Sequence, residues 1–291
     1  MNHTIKNRCL TVQISEHGAE LQSILGLDGT EYLWQGDPVF WEDRAPVLFP
    51  YIGRMIDRKY EYAGREYPME IHGMAPYADF QVIHANESRI TLRLNNDCET
   101  LKQYPFHFTF DVEYALTENR LEVTYTVTNH DSKQMLFAVG GHPGFNVPLV
   151  EGECFEDYQL RFPEASDPRR IVFTPDCYVD DHTLPCPLKD GKTIPLSHRI
   201  FDDEAIVLDG APKTVSIESL KSGRSVTVYY PQMRYIGFWH EVKTDAPYVC
   251  IEPWSSLPSP KGEKTVLTQQ ADLISLAPGK SYTNRWGMIF A

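Results

Sequence analysis

The sequence predicts an all-β fold, a large antiparallel sandwich or barrel, and three observations support this prediction. Segments that alternate apolar and polar residues recur along the chain. Helical periodicity is poor throughout. The 21 prolines and 18 glycines are spread over the chain and interrupt long helices. Many antiparallel strands in a body of this size favour a sandwich or a barrel.

The predicted strands follow one another along most of the chain. "ITLRLNN" (90–96) alternates, and "FHFTFDVEYAL" (106–116) and "LEVTYTVTN" (121–129) form a predicted hairpin with Glu118 and Asn119 near its turn. The segment 151–195 is rich in Pro, Asp and Cys, which predicts long loops. Later strands are predicted in "KTVSIESL", "SVTVYYP" and "YVCIEPW". With no repeat, low-complexity tract or linker, a single domain over 1–291 is predicted.

The net charge and the lengths of the apolar runs indicate which partners and which cellular compartment to expect. The chain has 40 acidic and 27 basic residues, a net charge of −13, which repels nucleic acids and anionic membranes. No apolar run has the length of a signal peptide or of a membrane span, so a cytoplasmic protein is predicted. The six cysteines include no CxxC pair and are expected to be free thiols.

The histidine with the most unusual surroundings is His142 in "FAVGGHPGFNVPL". Two glycines precede it and a proline follows, within a stretch that looks buried. This pattern is typical of a tight bend, and the imidazole is either incidental to the bend or aimed by it at a ligand. His72 in "MEIHGMAP" and His240 after "YIGFW" also follow apolar residues, whereas the other histidines are expected to be structural or at the surface.

Glu252 lies within an apolar run, "APYVCIEPWSS". A buried glutamate is costly unless it is paired or has a raised pKa, and a pKa near neutrality suits a general base. A salt bridge to Arg54 or Arg234 is the structural alternative. Arg54 itself, in "PVLFPYIGRM", either clamps a ligand oxygen through its two parallel donors or is an ordinary surface arginine.

Aromatic residues stand next to several of these polar groups, among them Trp239, Trp254 and Phe145. Aromatic faces beside acids and imidazoles suit a sugar, which has apolar C–H faces and a hydroxylated rim, although aromatic residues also fill cores. The phosphate-loop, dinucleotide, HExxH and GxSxG motifs are missing from the sequence, so no cofactor is predicted. His72, His142 and Glu252 could ligate a metal but lack short ligand spacing, and we predict no metal site.

Taken together, these segments resemble the aldose 1-epimerase (galactose mutarotase-like) superfamily, and within it a LacX-like branch of bacterial proteins. The resemblance extends over residues 5–290. It rests on an ordered set of motifs: "FPYIGRM", "YPMEIHGMAP", "YPFHFTFDVEYALTENRLEVTYTVTN", "GGHPGFNVPL", "RYIGFWH" and "YVCIEPW".

The resemblance implies a β-supersandwich with an open cleft across one face. It also implies roles, in which Glu252 is the base on the anomeric hydroxyl and His142 the acid on the ring oxygen. His72 and Arg54 are implied to hold the sugar, and Trp239 is expected to contact it.

Two departures from the family pattern leave the substrate open. An aspartate that contacts sugar hydroxyls in relatives matches "FDDEAIVL" only loosely, so that Asp203 or Glu204 takes its place. Pro76 stands where part of the family has arginine. We therefore expect an aldose 1-epimerase acting on a hexose as small-molecule partner. The alternatives are a hexose-6-phosphate 1-epimerase and a non-catalytic carbohydrate-binding or sensing protein.

Overall fold

The computed structural model describes residues 1–186, 188–262, 264–270 and 272–291. The predicted all-β class is confirmed, with 47% of residues in strands and 7% in helices. In chain order the strands are β1 (Asn2–Lys6), β2 (Leu10–Ser15), β3 (Leu21–Gly26), β4 (Val47–Leu48), β5 (Lys59–Tyr62), β6 (Arg65–Pro68), β7 (Gln81–Ala85), β8 (Arg89–Asn95), β9 (Phe108–Thr117), β10 (Arg120–Asn129), β11 (Met135–Phe137), β12 (Gly140–Gly141), β13 (Gly144–Asn146), β14 (Tyr158–Arg161), β15 (Arg169–Phe173), β16 (Val179–Pro185), β17 (Thr193–Pro195), β18 (Ile206–Asp209), β19 (Thr214–Ser219), β20 (Ser225–Tyr229), β21 (Tyr235–Trp239), β22 (Tyr248–Trp254), β23 (Thr265–Val266), β24 (Ile274–Leu276) and β25 (Ser281–Phe290).

The helical structure of the described residues consists of single turns. One α-helical turn, α1, spans Thr100–Gln103, and the 3-10 turns are Ile56–Arg58, Ala75–Tyr77, Phe155–Asp157, His198–Phe201 and Leu267–Gln269. Within the described ranges, no helix has the length and apolar character needed to cross a membrane.

Two large antiparallel sheets form the body of the protein. The nine-stranded sheet has the order β17-β14-β19-β20-β25-β10-β9-β8-β7, and the eight-stranded sheet β16-β15-β18-β21-β22-β12-β4, with β13 also paired to β22. The smaller sheets are β1-β2-β3, β11-β24 and β23-β5-β6, and in the last of these β23 runs parallel to β5. In the nine-stranded sheet the predicted hairpin is confirmed, because Thr117 pairs with Arg120 and leaves Glu118 and Asn119 as the turn.

The prediction of long loops over 151–195 was wrong, because this segment contains strands β14 to β17. These strands lie at one edge of each large sheet. Strands β14 and β15 are paired on both sides, whereas β16 and β17 are the outermost strands. Outermost strands tolerate proline and charged residues, since one side of their backbone has no ladder to complete. The alternation of apolar and polar residues is correspondingly weak, and the sequence of these strands resembles that of loops.

The two large sheets pack face to face around the hydrophobic core. Val123 of β10 and Ile251 of β22 are fully buried in one cluster, whose members extend from Ile5 to Phe290. This continuity supports the prediction of a single domain over 1–291, which stays a prediction.

The two glycines before His142 are in strand conformation, contrary to the bend that the sequence suggested. Gly140 and Gly141 pair with β4, and the chain leaves the strand only at His142 and Pro143. The opposite sheet comes very near Gly141, whereas a Cβ on Gly140 would meet Pro253, Leu48 and Trp254 of its own sheet. The Tyr125 hydroxyl donates to the Gly140 carbonyl at 3.1 Å, and a Cβ on Gly141 would overlap the Trp286 indole.

Replacing Gly141 by alanine is expected to lower the free energy of unfolding by about 1–3 kcal/mol, because the added methyl overpacks the interface between the sheets. Gly237→Ala is the matched control, since its Cβ would meet Glu252 at an ordinary contact distance of 3.4 Å. Chemical denaturation of both variants measures the difference. Equal losses in the two variants would contradict this account of Gly141.

Candidate active site

A cavity of about 330 Å³ lies on the eight-stranded sheet, on the side away from the main core. Strand β22 forms its floor. Along this strand Val249 and Ile251 face the main core, whereas Glu252 and Trp254 alternate with them and face the cavity. The volume falls in the range of small-ligand sites.

The register of the sheet places His142 opposite Glu252. Gly140 pairs with Trp254, and Gly144 pairs with Cys250. His142 is midway between the two glycines and therefore lies opposite Glu252, which is midway between their partners. The Nε2 atom of His142 lies 3.0 Å from Oε2 of Glu252, and both side chains are buried. Among the described residues the ion pair of Glu252 is with His142 and not with Arg54 or Arg234, and Arg234 pairs instead with Asp209 and Asp272.

Burial changes the pKa of both members of this pair. It lowers the pKa of His142 to about 4 and raises the pKa of Glu252 well above its usual value, although the Trp254 indole opposes the latter shift. These directions favour a neutral imidazole beside a protonated carboxyl. The other nitrogen, Nδ1, is buried without a partner among the described residues. A histidine with a purely structural role is seldom left in this state.

The position of His72 fixes its tautomer. The Gly53 amide donates to its Nδ1 at 3.1 Å, so the proton of the neutral ring is on Nε2. Burial, followed by the nearby His142 and Arg54, lowers the pKa of His72 well below its usual value. Its ring stands nearly perpendicular to that of His142 at 5.3 Å. His72 lines the cavity, and Nε2–H is the donor that its ring retains.

Tryptophans form the walls beside this pair. The ring centroids of Trp41 and Trp239 lie 5.0 Å and 5.7 Å from that of His142, and both indoles line the cavity. Trp239 was predicted from the sequence. Trp41 was missed, although "VFWEDR" places two adjacent aromatic residues before charged ones. Phe145 lies in the main core instead.

The cavity also has a charged rim. Arg54 is exposed and lines the cavity at this rim, and its role in holding a ligand stays a prediction. Asp203 is exposed and lies outside the lining, whereas Glu204 is part of it and accepts a hydrogen bond from the Cys177 thiol at 3.3 Å. The structure therefore brings Glu204, rather than Asp203, to the cavity. The sequence could not decide between these adjacent residues, because the backbone geometry that directs their side chains cannot be read from it.

Two more carboxylates on the rim were missed by sequence reasoning. Asp43 and Glu241 line the cavity from loops. Burial raises the pKa of both carboxyls, with Glu20 and Glu42 adding to the shift of Asp43 and Glu204 to that of Glu241. Neither residue stands in a motif, and nothing in their local sequence distinguishes them from surface acids.

His240 lies behind the cavity wall. It is fully buried, donates from Nδ1 to the Glu241 carbonyl at 2.7 Å, and accepts at Nε2 from His198 at 3.3 Å. Burial lowers its pKa to about 4. This pair of histidines supports the loop that carries Glu241 and is not itself part of the lining.

Comparisons with known proteins give similar proteins that match this chain over nearly its whole length. Residues 1–286 match the family model described as aldose 1-epimerase. The plasmid-encoded protein LacX of Lactococcus lactis is 33% identical over 288 residues, which cover 96% of this chain and 95% of LacX. A galactose mutarotase related enzyme from Lactobacillus acidophilus is 34% identical with a TM-score of 0.96, covering 100% of this chain and 97% of its own. A galactose mutarotase-like protein from Lactobacillus casei is also 34% identical, with a TM-score of 0.94 and complete coverage of both chains.

We expect His142 to stay neutral well below pH 6.5 and to take up a second proton on the pair only near pH 4. The unfolded chain binds this proton first, so His142 contributes stability that is present above pH 6.5 and is lost as the pH falls through about 4. Imidazole ¹⁵N chemical shifts recorded between pH 7 and 4 measure the titration directly. A midpoint near pH 6.5 would contradict the burial argument.

Proposed function

Because the chain belongs to the aldose 1-epimerase family, we propose that it interconverts the α and β anomers of a free hexose. Family membership supports a sugar epimerase or mutarotase, which is an isomerase. The observation that carries the specific proposal is the contact of 3.0 Å between His142 and Glu252 at the floor of a cavity. One buried imidazole and one buried carboxyl, sharing one proton, are the groups that anomerisation requires.

The reaction opens and recloses the sugar ring. Glu252 accepts the proton of the anomeric hydroxyl O1, while His142 donates a proton to the ring oxygen O5, and the C1–O5 bond breaks to give the aldehyde. Rotation about C1–C2 turns the other face of the carbonyl toward the O5 hydroxyl. The reverse transfers then close the ring as the other anomer. Each positioned acid or base contributes roughly 10²–10⁴-fold, and the proposal includes no cofactor.

One proton shared by His142 and Glu252 suits this chemistry, because the number of protons on the pair is the same before and after turnover. With the proton on Glu252, as burial favours, transfer across the contact of 3.0 Å gives the carboxylate and the imidazolium that the proposed roles need. A bound sugar stabilises that ionised state, since its hydroxyl groups offer donors to the carboxylate. One proton on the pair always leaves one group to accept and one to donate.

The lining is suited to hold a sugar ring above this pair. The indoles of Trp41 and Trp239 offer apolar faces to the C–H groups of the ring. His72 offers a fixed Nε2–H donor and Arg54 its guanidinium, and both serve hydroxyl oxygens. Glu204 accepts from a hydroxyl in the role for which the sequence had left Asp203 or Glu204 open.

The charge of the rim favours a neutral sugar over a hexose 6-phosphate. Asp43, Glu204 and Glu241 line the cavity, and among the described residues Arg54 is the one arginine or lysine in the lining. A phosphate dianion in this setting meets more negative than positive charge. The non-catalytic alternative accounts for sugar binding but gives no reason to bury an acid and a base in contact.

Glu252→Gln is expected to lower the rate of anomerisation by about 10²–10⁴-fold, because the amide cannot accept the O1 proton. Polarimetry on freshly dissolved α-glucose and α-galactose measures the rate, and protection against thermal unfolding by the same sugars measures binding. Glu122→Gln, on the nine-stranded sheet, is the control and should keep the rate. If neither sugar anomerises faster with folded wild-type protein and a wider panel also fails, the enzymatic proposal is wrong.

Glucose should be converted with a kcat/KM at least about tenfold higher than glucose 6-phosphate, because the acidic rim repels the dianion. NMR exchange between the anomers of each sugar measures both rates under the same conditions. The difference in kcat/KM between the two sugars should be smaller in Glu204→Gln and in Glu241→Gln, because each substitution removes one negative charge from the rim. A preference for the phosphorylated sugar would instead support the hexose-6-phosphate alternative.

A further inference from the structure

Cys250 lies directly beside the proposed catalytic pair and has no role in anomerisation. It precedes Glu252 by two residues on β22, so the two side chains share one face of the sheet. Its cross-strand neighbours are Gly144 and Trp239, and its side chain is fully buried. Because Gly144 has no side chain, the thiol is next to His142 without an intervening group.

The three side chains bring together the ligand atoms of a metal site. A ring nitrogen of His142, the sulfur of Cys250 and a carboxylate oxygen of Glu252 all lie within 4.8 Å of one another. In a tetrahedral zinc site, bonds of about 2.0–2.3 Å place the ligand atoms about 3.5 Å apart. Small side-chain rotations therefore suffice to close the three atoms around one ion.

The chemistry and accessibility of this set favour zinc. A nitrogen, a thiolate sulfur and a carboxylate oxygen are the three ligand types that Zn²⁺ takes in proteins. His142 and Glu252 line the cavity, which gives the ion an entry path and leaves a fourth position for water or a sugar hydroxyl. A second cluster, Asp180, Asp181 and His182, is partly exposed, and Asp180 is already paired with Lys261, so it offers a weaker site.

We propose that Zn²⁺ binds to His142, Cys250 and Glu252 and inhibits the enzyme reversibly. Binding breaks the S–H bond of Cys250 and displaces the proton shared by His142 and Glu252, and both protons pass to solvent. The ion then occupies the acid and the base at once, so neither can act on a sugar. The inhibition rests on the proposed function, whereas the metal site does not.

Cobalt(II) titration of the full chain tests the site without reference to activity. One equivalent of CoCl₂ should produce a thiolate-to-cobalt charge-transfer band in the near ultraviolet and the visible bands of tetrahedral cobalt, and ZnCl₂ should remove both. Cys250→Ser should lose the charge-transfer band, and Cys250→Ala serves if the serine variant does not fold. Cys98→Ser, which changes an exposed free cysteine, is the matched control and should keep it. Absence of the band in the wild type, or its persistence in folded Cys250 variants, overturns the proposal.

Inhibition of anomerisation by ZnCl₂ provides the second readout. Zinc should abolish the rate and a chelator restore it. The rate of Cys250→Ser is measured against its own metal-free rate. Half inhibition of this variant should need a zinc concentration at least about tenfold higher than half inhibition of the wild type, because loss of a residue that only supports the ligands already lowers metal affinity by that factor. Equal sensitivity of the variant and the wild type would show that Cys250 is not a ligand. If the cobalt bands form but no sugar is anomerised, the proposed function fails and the metal site stands.

Discussion

The contact between His142 and Glu252 is the interaction on which the rest of the site depends. Burying a charged imidazole or a charged carboxylate alone would cost several kcal/mol, and burying the two together with one proton between them avoids most of that cost. The pair is stable in a dry environment because its net charge is zero whichever group holds the proton. The aromatic walls provide that environment, since Trp41 and Trp239 cover the imidazole. The same dryness strengthens the interaction of the pair with any polar ligand that replaces water.

The sheets are built so that this contact forms without strain at the pair itself. Gly141 lets the strand before His142 lie against Trp286 of the opposite sheet, and the antiparallel register with β22 then places His142 opposite Glu252. Packing between the sheets therefore determines the distance between an acid and a base that are 110 positions apart in sequence. The loops carry several of the proposed sugar-binding groups but have little influence on this distance.

Much of this could be predicted from the sequence, for reasons that are local. Alternation identified the hairpin around Glu118, and a glutamate inside the apolar run of β22 could be recognised as anomalous. The order of short motifs brought Arg54, His72, His142 and Glu252 together by resemblance. What failed depends on distant contacts or on exact backbone direction. Strands β14 to β17, which lie at the sheet edges or next to them, resemble loops in sequence. The choice between Asp203 and Glu204 turns on a single peptide, and Asp43 and Glu241 look like ordinary surface acids until the chain folds. Pro76 does line the cavity, and its effect on the choice of sugar stays a prediction.

The position of β22 inside its sheet has a consequence for how such a protein changes over evolutionary time. Strands on both sides hold the reacting pair, so a substitution there disturbs the core and is readily eliminated by loss of stability. Arg54, Glu204 and Glu241 stand on connections, where replacement costs little folding free energy. Under the proposed function, the chemistry and the choice of sugar are thus encoded in parts of the chain with different tolerance to mutation. A lineage can move to a new sugar by altering its loops while the ring-opening step stays as it was.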